Sequence, residues 1–188
     1  LSNSSKIDDL TYTYKPNSNK LLNVTDAVTE EIKLGDFKDG SNINDDYAYD
    51  ANGNLEVDGN KDIIGLVVNT AGQKGIFYNY LNLPEKIQMF GKGEIQYKYD
   101  ASGSKLQKIV YDLASNTTTT YSYIGGAVYK DDVLQFLPQE EGRIRFIPVQ
   151  GTQPATFVYD YFIKDHLGNV RMVLTEEVKQ DVYPATTF

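Results

Sequence analysis

Three groups of residues in this chain have types and spacings that could carry chemistry, and the first is a histidine beside an aspartate. His166 is the only histidine and directly follows Asp165, which suggests an acid–base pair. Adjacent residues of an extended chain point apart, however, and His166 falls inside a predicted turn. No Gly-x-Ser-x-Gly string supplies an oriented nucleophile. We therefore predict a turn histidine, no catalytic residues and no enzymatic activity.

The second group begins like a calcium-binding loop. Asp50, Asn52 and Asn54 have the alternate spacing of the first three ligands of such a loop. The match then fails, because Leu55 stands where a glycine is needed and Lys61 stands where the bidentate glutamate is needed. A hairpin turn is the better interpretation, so we predict no metal and no cofactor. Adventitious calcium binding is the alternative.

The third group consists of tyrosines two residues apart, namely Tyr47 with Tyr49 and Tyr97 with Tyr99. Residues two apart in a strand point to the same face of the sheet. Their rings present apolar faces that match those of pyranose sugars, so these four tyrosines are the candidate ligand-facing residues for a glycan. Tyrosines in strands ordinarily pack within the sheet, however, with the hydroxyl group finding a partner or water.

The tyrosine pairs belong to a local pattern that the sequence repeats. A pair of aromatic residues, or an echo of that pair, is followed by Asp-x-x-Gly and then by an apolar residue, in residues 47–55, 97–106 and 162–170. Asp can accept hydrogen bonds from the amides that follow it, and Gly tolerates the positive φ that such a turn needs. Each copy therefore predicts a β-hairpin. The structural turn residues are Asp50, Gly53, Asp100, Gly103, Asp165 and Gly168.

The rest of the chain also favours short strands separated by polar turns. The predicted strands are Leu10–Tyr14, Lys20–Val24, Asp46–Tyr49, Asn54–Asp58, Ile63–Asn69, Gly75–Tyr80, Glu85–Phe90, Glu94–Tyr99, Lys105–Asp112, Thr117–Ile124, Ala127–Lys130, Val133–Leu137, Arg143–Val149, Thr156–Lys164 and Asn169–Glu176. One short helix over Thr25–Leu34 competes with a turn and loop there, and Gly35–Asp46 is predicted to be a surface loop. The predicted fold is all-β: a curved antiparallel sheet of consecutive β-hairpins.

Composition and charge restrict the classes of function. The 188 residues fit one domain, or at most two small ones, and contain no cysteine. The net charge of −8 argues against nucleic acid and against an anionic membrane surface as partners. No apolar run is long enough to cross a bilayer, so we predict no membrane insertion. The opening segment Leu1–Lys6 is polar, which predicts that the chain itself contains no signal peptide.

The chain contains three arginines, Arg143, Arg145 and Arg171. We predict that they pair across strands with acidic neighbours such as Glu140, Glu141 and Glu176. An anion site is the alternative. Open sheet edges invite pairing with other chains, so self-association through edges is also predicted unless loops such as Gly35–Asp46 cover them.

These motifs resemble a known family, the Rhs or YD-repeat proteins. Tyr-x-Tyr-Asp-x-x-Gly-x-Leu is similar to the YD repeat, and Asp160–Arg171 resembles the opening of the Rhs repeat-associated core, most specifically in Asp165–Arg171. Residues 35–40, 46–55, 78–84 and 125–126 resemble the version found in Bacteroides-type bacteria. The resemblance covers residues from about Leu10 to Glu176. It implies a polar stub over 1–9, hairpin repeats over 10–158 and the start of a core-like segment over 159–188, within a single YD-repeat domain.

The resemblance also implies a function. Members of this family wind hairpins into a curved sheet that can close as a shell around a toxin segment, and they are typically surface-exposed or secreted. We therefore expect a structural wall segment at the cell surface or outside the cell, with adjoining repeats as partners. Toxin delivery is an alternative in which cargo and autoprotease lie outside this chain, because it contains no Asp-Pro-x-Gly-Leu string.

Overall fold

The structure is a computed structural model, and it describes residues 7–28, 37–38, 45–65 and 73–177. The regular secondary structure of the described residues consists almost entirely of antiparallel β-strands. A single 3₁₀ turn, Gly59–Lys61, is the only helical element among them. The predicted all-β class with consecutive hairpins is therefore confirmed.

The strands follow one another along the chain with short turns between them. They are β1 (Leu10–Tyr14), β2 (Leu21–Asp26), β3 (Tyr47–Tyr49), β4 (Leu55–Asp58), β5 (Ile76–Tyr78), β6 (Pro84–Met89), β7 (Gly93–Tyr99), β8 (Lys105–Asp112), β9 (Thr117–Ile124), β10 (Ala127–Lys130), β11 (Val133–Gln139), β12 (Gly142–Ile147), β13 (Thr156–Lys164) and β14 (Val170–Thr175).

The chain divides into two compact units, Leu1–Thr119 and Thr120–Phe188. In the first unit, β1 pairs with β2, β3 pairs with β4, and β5 to β8 pair in sequence order. In the second unit, the strands from β9 to β14 also pair in sequence order, and each is antiparallel to the next. Within each sheet, sequence neighbours are thus strand neighbours, which is the topology that successive hairpins produce. The single-domain interpretation of the whole chain stays a prediction.

The observed strands agree closely with the predicted ones. The bounds of β1, β8, β9, β10 and β13 are those predicted, and the other observed strands differ by one or two residues at an end. The predicted strand Ile63–Asn69 is wrong over residues 63–65, the part that the structure describes. Ile63 forms only an isolated bridge with Asp58, because the two residues exchange backbone hydrogen bonds that close the 3₁₀ turn. Residues 66–69 lie outside the described residues.

The helix considered near Thr25 is not present where the structure describes the chain. Thr25 and Asp26 belong to β2, where they pair with Thr11 and Leu10 of β1. The Asp26 carboxylate accepts hydrogen bonds from the amides of Asp9 and Val28. Residues 29–34 of the predicted helix, and most of the predicted loop Gly35–Asp46, lie outside the described residues.

Few side chains of the described residues are completely enclosed. The buried apolar residues among them are Val24, Ile76, Ala127 and Val158. Three aspartates, Asp46, Asp58 and Asp160, are buried as well. Many other apolar side chains of the strands are half-buried, and hydrogen bonds between hairpins and within turns add to the stability.

Candidate functional site

The Asp-x-x-Gly motifs fold into one recurring hairpin turn, seen clearly at Asp100. The Asp100 amide donates to the Ser104 carbonyl over 2.9 Å, and the Gly103 amide donates to the Asp100 carbonyl over 3.1 Å. Oδ1 of Asp100 accepts hydrogen bonds from the amides of Ser102 and Ser104 at 2.8 and 2.9 Å. Gly103 has a φ of 88°, which a side chain would strain. Aspartate thus fixes the turn, and glycine allows the chain to reverse.

The copies at Asp50 and Asp165 have the same geometry. Their amides donate to the carbonyls of Asn54 and Asn169, both over 2.9 Å. Gly53 and Gly168 have φ values of 91° and 83°. Hydrogen bonds hold the pKa of each carboxyl below its usual range, from the Asn54 side chain onto Asp50, from the Ser102 side chain onto Asp100 and from the Asn169 backbone onto Asp165. All six turn residues named from the sequence therefore lie in turns of one kind.

A fourth turn of this kind lies at Asn79, where the sequence motif is weaker. The Asn79 amide donates to the Leu83 carbonyl over 2.9 Å, and the Asn79 side chain accepts from the amides of Leu81 and Leu83. Asn82 takes the glycine position with a φ of 62°. Asparagine can fill both roles, since it tolerates the left-handed region and has an acceptor oxygen. A search for Asp/Asn-x-x-Gly/Asn would have found this turn.

Each turn is preceded by a shift of strand register at an equivalent position. The shift falls immediately before Tyr14, Tyr49, Tyr78, Tyr99 and Lys164. The residues paired with them across the hairpin are, in the same order, Leu21, Leu55, Pro84, Lys105 and Val170. The second tyrosine of the sequence motif therefore occupies one structural position in successive hairpins.

Hydroxyl groups at this position bind the preceding hairpin in the first unit. The Tyr78 hydroxyl donates to the Leu55 carbonyl over 2.8 Å, and the Tyr99 hydroxyl donates to the Pro84 carbonyl over 2.9 Å. The third contact runs in the opposite direction, because the Leu21 backbone amide donates to the Tyr49 hydroxyl and thereby favours a lower tyrosine pKa. In each case the partner is the residue that faces the equivalent tyrosine in the hairpin before. We call these three contacts the tyrosine ladder.

The ladder gives the tyrosine before the turn a role in the first unit, whereas Lys164 occupies this position in the third copy of the motif. A phenylalanine would pack in the same space but could not satisfy the backbone group of the neighbouring hairpin. Partial burial raises the pKa of Tyr49, Tyr78 and Tyr99 above the ordinary tyrosine value, so their hydroxyls stay protonated at neutral pH. Sequence reasoning assigned Tyr49 and Tyr99 to a ligand or to packing, and it missed this hydrogen bond.

Lysines cover part of the tyrosine surface that could face a ligand. The Lys105 ammonium lies 4.2 Å from the centre of the Tyr97 ring, and the ammonium groups of Lys15 and Lys20 lie 5.8 and 5.5 Å from that of Tyr49. Tyr47 is half-buried, with its hydroxyl 3.5 Å from the side-chain amide of Asn60. Two of the four candidate ligand-facing tyrosines, Tyr97 and Tyr99, line a groove.

That groove lies between the turns at Asn79 and Asp100. It has a volume of about 600 Å³ and is lined by Tyr78, Asn79, Tyr80, Leu81, Glu85, Tyr97, Lys98, Tyr99 and Asp100. The Tyr80 side chain is 86% exposed, whereas the hydroxyls of Tyr78 and Tyr99 are occupied by the ladder. Exposed aromatic rings beside carboxylate, amide and ammonium groups form a surface that could contact a sugar.

Asp46 joins the first two hairpins from a buried position. Its amide donates to the Leu22 carbonyl over 2.9 Å, and its carboxylate accepts from the amide of Val24 over 2.8 Å and from Asn60 over 3.1 Å. The other carboxylate oxygen is buried without a hydrogen-bond partner among the described residues. The contacts link β2 to the segment that surrounds β3 and β4, so a side chain again connects neighbouring hairpins.

Arg143 and Arg145 pair across strands with an acidic residue, as predicted, but that residue is the buried Asp160 and not one of the glutamates named from the sequence. Nε atoms of Arg143 and Arg145 lie 2.8 and 2.7 Å from Oδ2 of Asp160, and Arg145 also contacts Glu177 at 2.8 Å. The Arg145 hydrogen bond, with that of Arg143, holds the pKa of Asp160 far below its usual range. Alternation along β12 places both arginines on the face that carries Asp160 of β13.

The remaining arginine also has a different partner. Arg171 lies 2.7 Å from Oδ2 of the turn residue Asp165. Glu140, Glu141 and Glu176 were therefore the wrong partners, since each arginine contacts a carboxylate that strand register brings beside it. Such positions depend on pairings between strands that the linear sequence does not specify. The arginines are occupied by carboxylates, which leaves little basis for an anion site.

The structure brings no second catalytic group to His166 within the part of the chain that it describes. His166 lies exposed in the turn that begins at Asp165, whose carboxylate is bound by the amides of Leu167 and Asn169 and by Arg171. In the described part of the chain, no three His, Asp or Glu residues come together as a metal site.

The residues that begin like a calcium loop serve the turns instead. The Asn54 side-chain amide donates to Asp50 and to Asn82 of the next turn, over 2.8 and 2.6 Å. The Asn52 side-chain amide lies 3.4 Å from the same Asn82 oxygen. These side chains are therefore bound to each other and to the neighbouring turn.

Comparison of the chain with protein-family models, with curated proteins and with solved structures gives no match. The resemblance to YD-repeat proteins therefore rests on the motifs alone. No helix in the described ranges is long and apolar enough to cross a membrane.

Proposed function

We propose that this chain is a non-catalytic structural segment of a wall built from YD-type hairpin repeats, in a surface-exposed or secreted protein. The observation that carries the proposal is the tyrosine ladder. In three successive hairpins of the first unit, the tyrosine immediately before the turn forms a hydrogen bond to the preceding hairpin. The repeated residues therefore serve the architecture of successive hairpins.

The other contacts between hairpins support the same function. Asp46 connects the first two hairpins, and Asn82 connects the turns at Asp50 and Asn79 through Asn54. Among the described residues, completely buried apolar side chains are few. A polypeptide stabilised from hairpin to hairpin can be extended by further repeats without enlarging a central core. From the motif resemblance we further propose adjoining YD repeats as partners. In the alternative that it suggests, the wall belongs to a toxin-delivery protein.

The proposal predicts that removing one ladder hydroxyl destabilises the chain measurably. We expect Tyr99→Phe to lower the free energy of unfolding by about 1–2 kcal/mol, because the Pro84 carbonyl loses its partner. Tyr97→Phe is the matched control, two residues away in the same strand, and should change it by less than about 0.5 kcal/mol. Denaturant unfolding measures both. Equal changes in the free energy of unfolding for the two substitutions would contradict the proposal that the ladder stabilises the hairpins.

A glycan-binding module is the second candidate function, and the groove between the turns at Asn79 and Asp100 favours it. Its exposed Tyr80 ring offers an apolar face, and Glu85, Lys98 and Asp100 offer groups that can bind hydroxyls. Unlike the half-buried ladder tyrosines, Tyr80 contributes little to the hairpins and is exposed to contact a ligand.

Glycan binding is tested by titrating a glycan array with the intact protein. Saturable binding to a defined glycan that Tyr80→Ala weakens about tenfold is expected, since one lost aromatic contact is worth about 1–2 kcal/mol. Thr118→Ala, on an exposed residue away from the groove, is the control and should leave binding unchanged. No saturable binding to any glycan on the array would remove this candidate.

A further inference from the structure

The tyrosine ladder has an open donor at β1. Tyr14 occupies the ladder position of its hairpin, with the register shift before it and Leu21 opposite it. Unlike Tyr49, Tyr78 and Tyr99, which are half-buried, the Tyr14 side chain is 54% exposed, and Tyr12 is 53% exposed. No hydrogen bond to the Tyr14 hydroxyl is formed within the described ranges, and β1 pairs there only with β2. Among the described residues, one edge of β1 is therefore unpaired, and Tyr14 stands there at the ladder position.

The matching acceptor is open at β14. Val170 occupies the position of Leu55 and Pro84, whose carbonyls accept the ladder hydroxyls. Every residue of β14 is exposed, including Met172 at 55% and Leu174 at 50%, and among the described strands β14 pairs only with β13. An exposed outer strand with several apolar side chains is a template for another strand.

Neither edge carries the features that ordinarily prevent such pairing. The sequence of β1 has no charged residue and no proline. The single charged residue of β14 is Arg171, and the carboxylate of Asp165 already pairs with it. Lysines, prolines and inward-pointing charges are the usual protection of a sheet edge, and both strands lack them.

We infer that a second copy of this chain occupies these edges in a head-to-tail contact. In it, β1 of one copy pairs antiparallel with β14 of the next, and the Tyr14 hydroxyl donates to the Val170 carbonyl, as Tyr99 of β7 donates to Pro84 of the paired strand β6. The contact joins two different surfaces, so it leaves one donor edge and one acceptor edge free and permits further addition. The inference rests on the ladder that carries the proposed function.

Two blocked variants test this contact. The donor-blocked variant carries Tyr12→Ala and Tyr14→Ala, which remove the ladder tyrosine and its neighbour from β1. The acceptor-blocked variant carries Met172→Lys and Leu174→Lys, which place two positive charges on β14. All four side chains are exposed, so each variant should fold, which circular dichroism and denaturant unfolding check. Sedimentation velocity should show wild-type oligomers that grow with protein concentration. Each variant alone should stay at the monomer mass of 21.1 kDa.

Mixing the two variants separates this contact from a symmetric one. Each retains one intact edge, so the mixture should form an equimolar heterodimer that does not grow further. Adding Tyr14→Phe to the acceptor-blocked variant should weaken that heterodimer about fivefold, the effect of losing one hydrogen bond. Adding Tyr80→Phe there should leave it unchanged.

Three results would overturn the inference: a wild-type chain that is monomeric at every concentration, association of the donor-blocked variant with itself, or no heterodimer in the mixture. Loss of stability in Tyr99→Phe without any self-association would leave the structural function standing and remove this inference alone.

Discussion

Replacement of Gly93 by alanine is expected to destabilise the chain by about 3–5 kcal/mol. The added methyl group would collide with the backbone of β8, and alanine would be strained at the φ of this position. Gly93 begins β7 with a φ of 130°, which side-chain-bearing residues rarely adopt. A Cβ atom there would lie 2.0 Å from the Tyr111 carbonyl oxygen. That carbonyl belongs to β8, which pairs with β7 along its length, so it cannot move without disturbing the backbone hydrogen bonds between the two strands.

Gly91→Ala is the matched control for this prediction. Gly91 lies two residues earlier in the same hairpin with a φ of 68°, and no atom lies within 4 Å of the position that an added methyl group would occupy. Only the left-handed backbone is penalised, so the expected loss is about 1 kcal/mol. Denaturant unfolding of both variants gives the comparison. Similar losses for the two would mean that β7 and β8 do not approach as closely at Gly93 as described.

Removing the charge of Asp160 is expected to have the second large effect. Asp160→Asn should cost about 3 kcal/mol at neutral pH, because two partly buried arginines lose their carboxylate partner. Asp165→Asn is the matched control. Asparagine performs the same turn function at Asn79, so this substitution should cost less than about 1 kcal/mol. Thermal or denaturant unfolding measures both changes.

The Asp160 effect should also depend on pH in a defined direction. Arg145 and Arg143 hold the pKa of Asp160 below its unfolded value. Its stabilisation is therefore fully present above the ordinary aspartate pKa of about 4 and declines as the pH falls through the lower folded pKa. The stability difference between wild type and Asp160→Asn should be constant from about pH 7 to about pH 5 and then shrink toward about pH 2. A difference that grows on acidification would contradict the assigned ion pair.

The local pattern predicted most of the fold because the decisive features are local. Aspartate at the turn start and glycine three residues later fix a reversal, and alternating aromatic and β-branched residues fix the strands on either side. The strands around Asp50 and Asp100 were therefore found within one or two residues. Ile63–Asn69 was assigned wrongly at Ile63 because its apolar residues looked like a strand, whereas the left-handed Asp62 and the 3₁₀ turn end the pairing there.

The connections between hairpins could not be predicted, because they depend on register between segments distant in sequence. The Tyr78 hydroxyl reaches Leu55, and Arg145 reaches Asp160 and Glu177, only after the strands have paired. A sequence shows that a tyrosine recurs but not which carbonyl it binds. The glutamates near the arginines in sequence were the wrong choice for the same reason.

Amide hydrogen exchange in Tyr78→Phe tests the central claim most directly, since the claim is that a tyrosine hydroxyl binds one hairpin to the hairpin before it. Loss of the bond to Leu55 should make the protected amides of β3 and β4 exchange about fivefold faster, while those of β7 and β8 keep their wild-type rates. Unchanged exchange in β3 and β4, or equal acceleration throughout the first unit, would contradict the account.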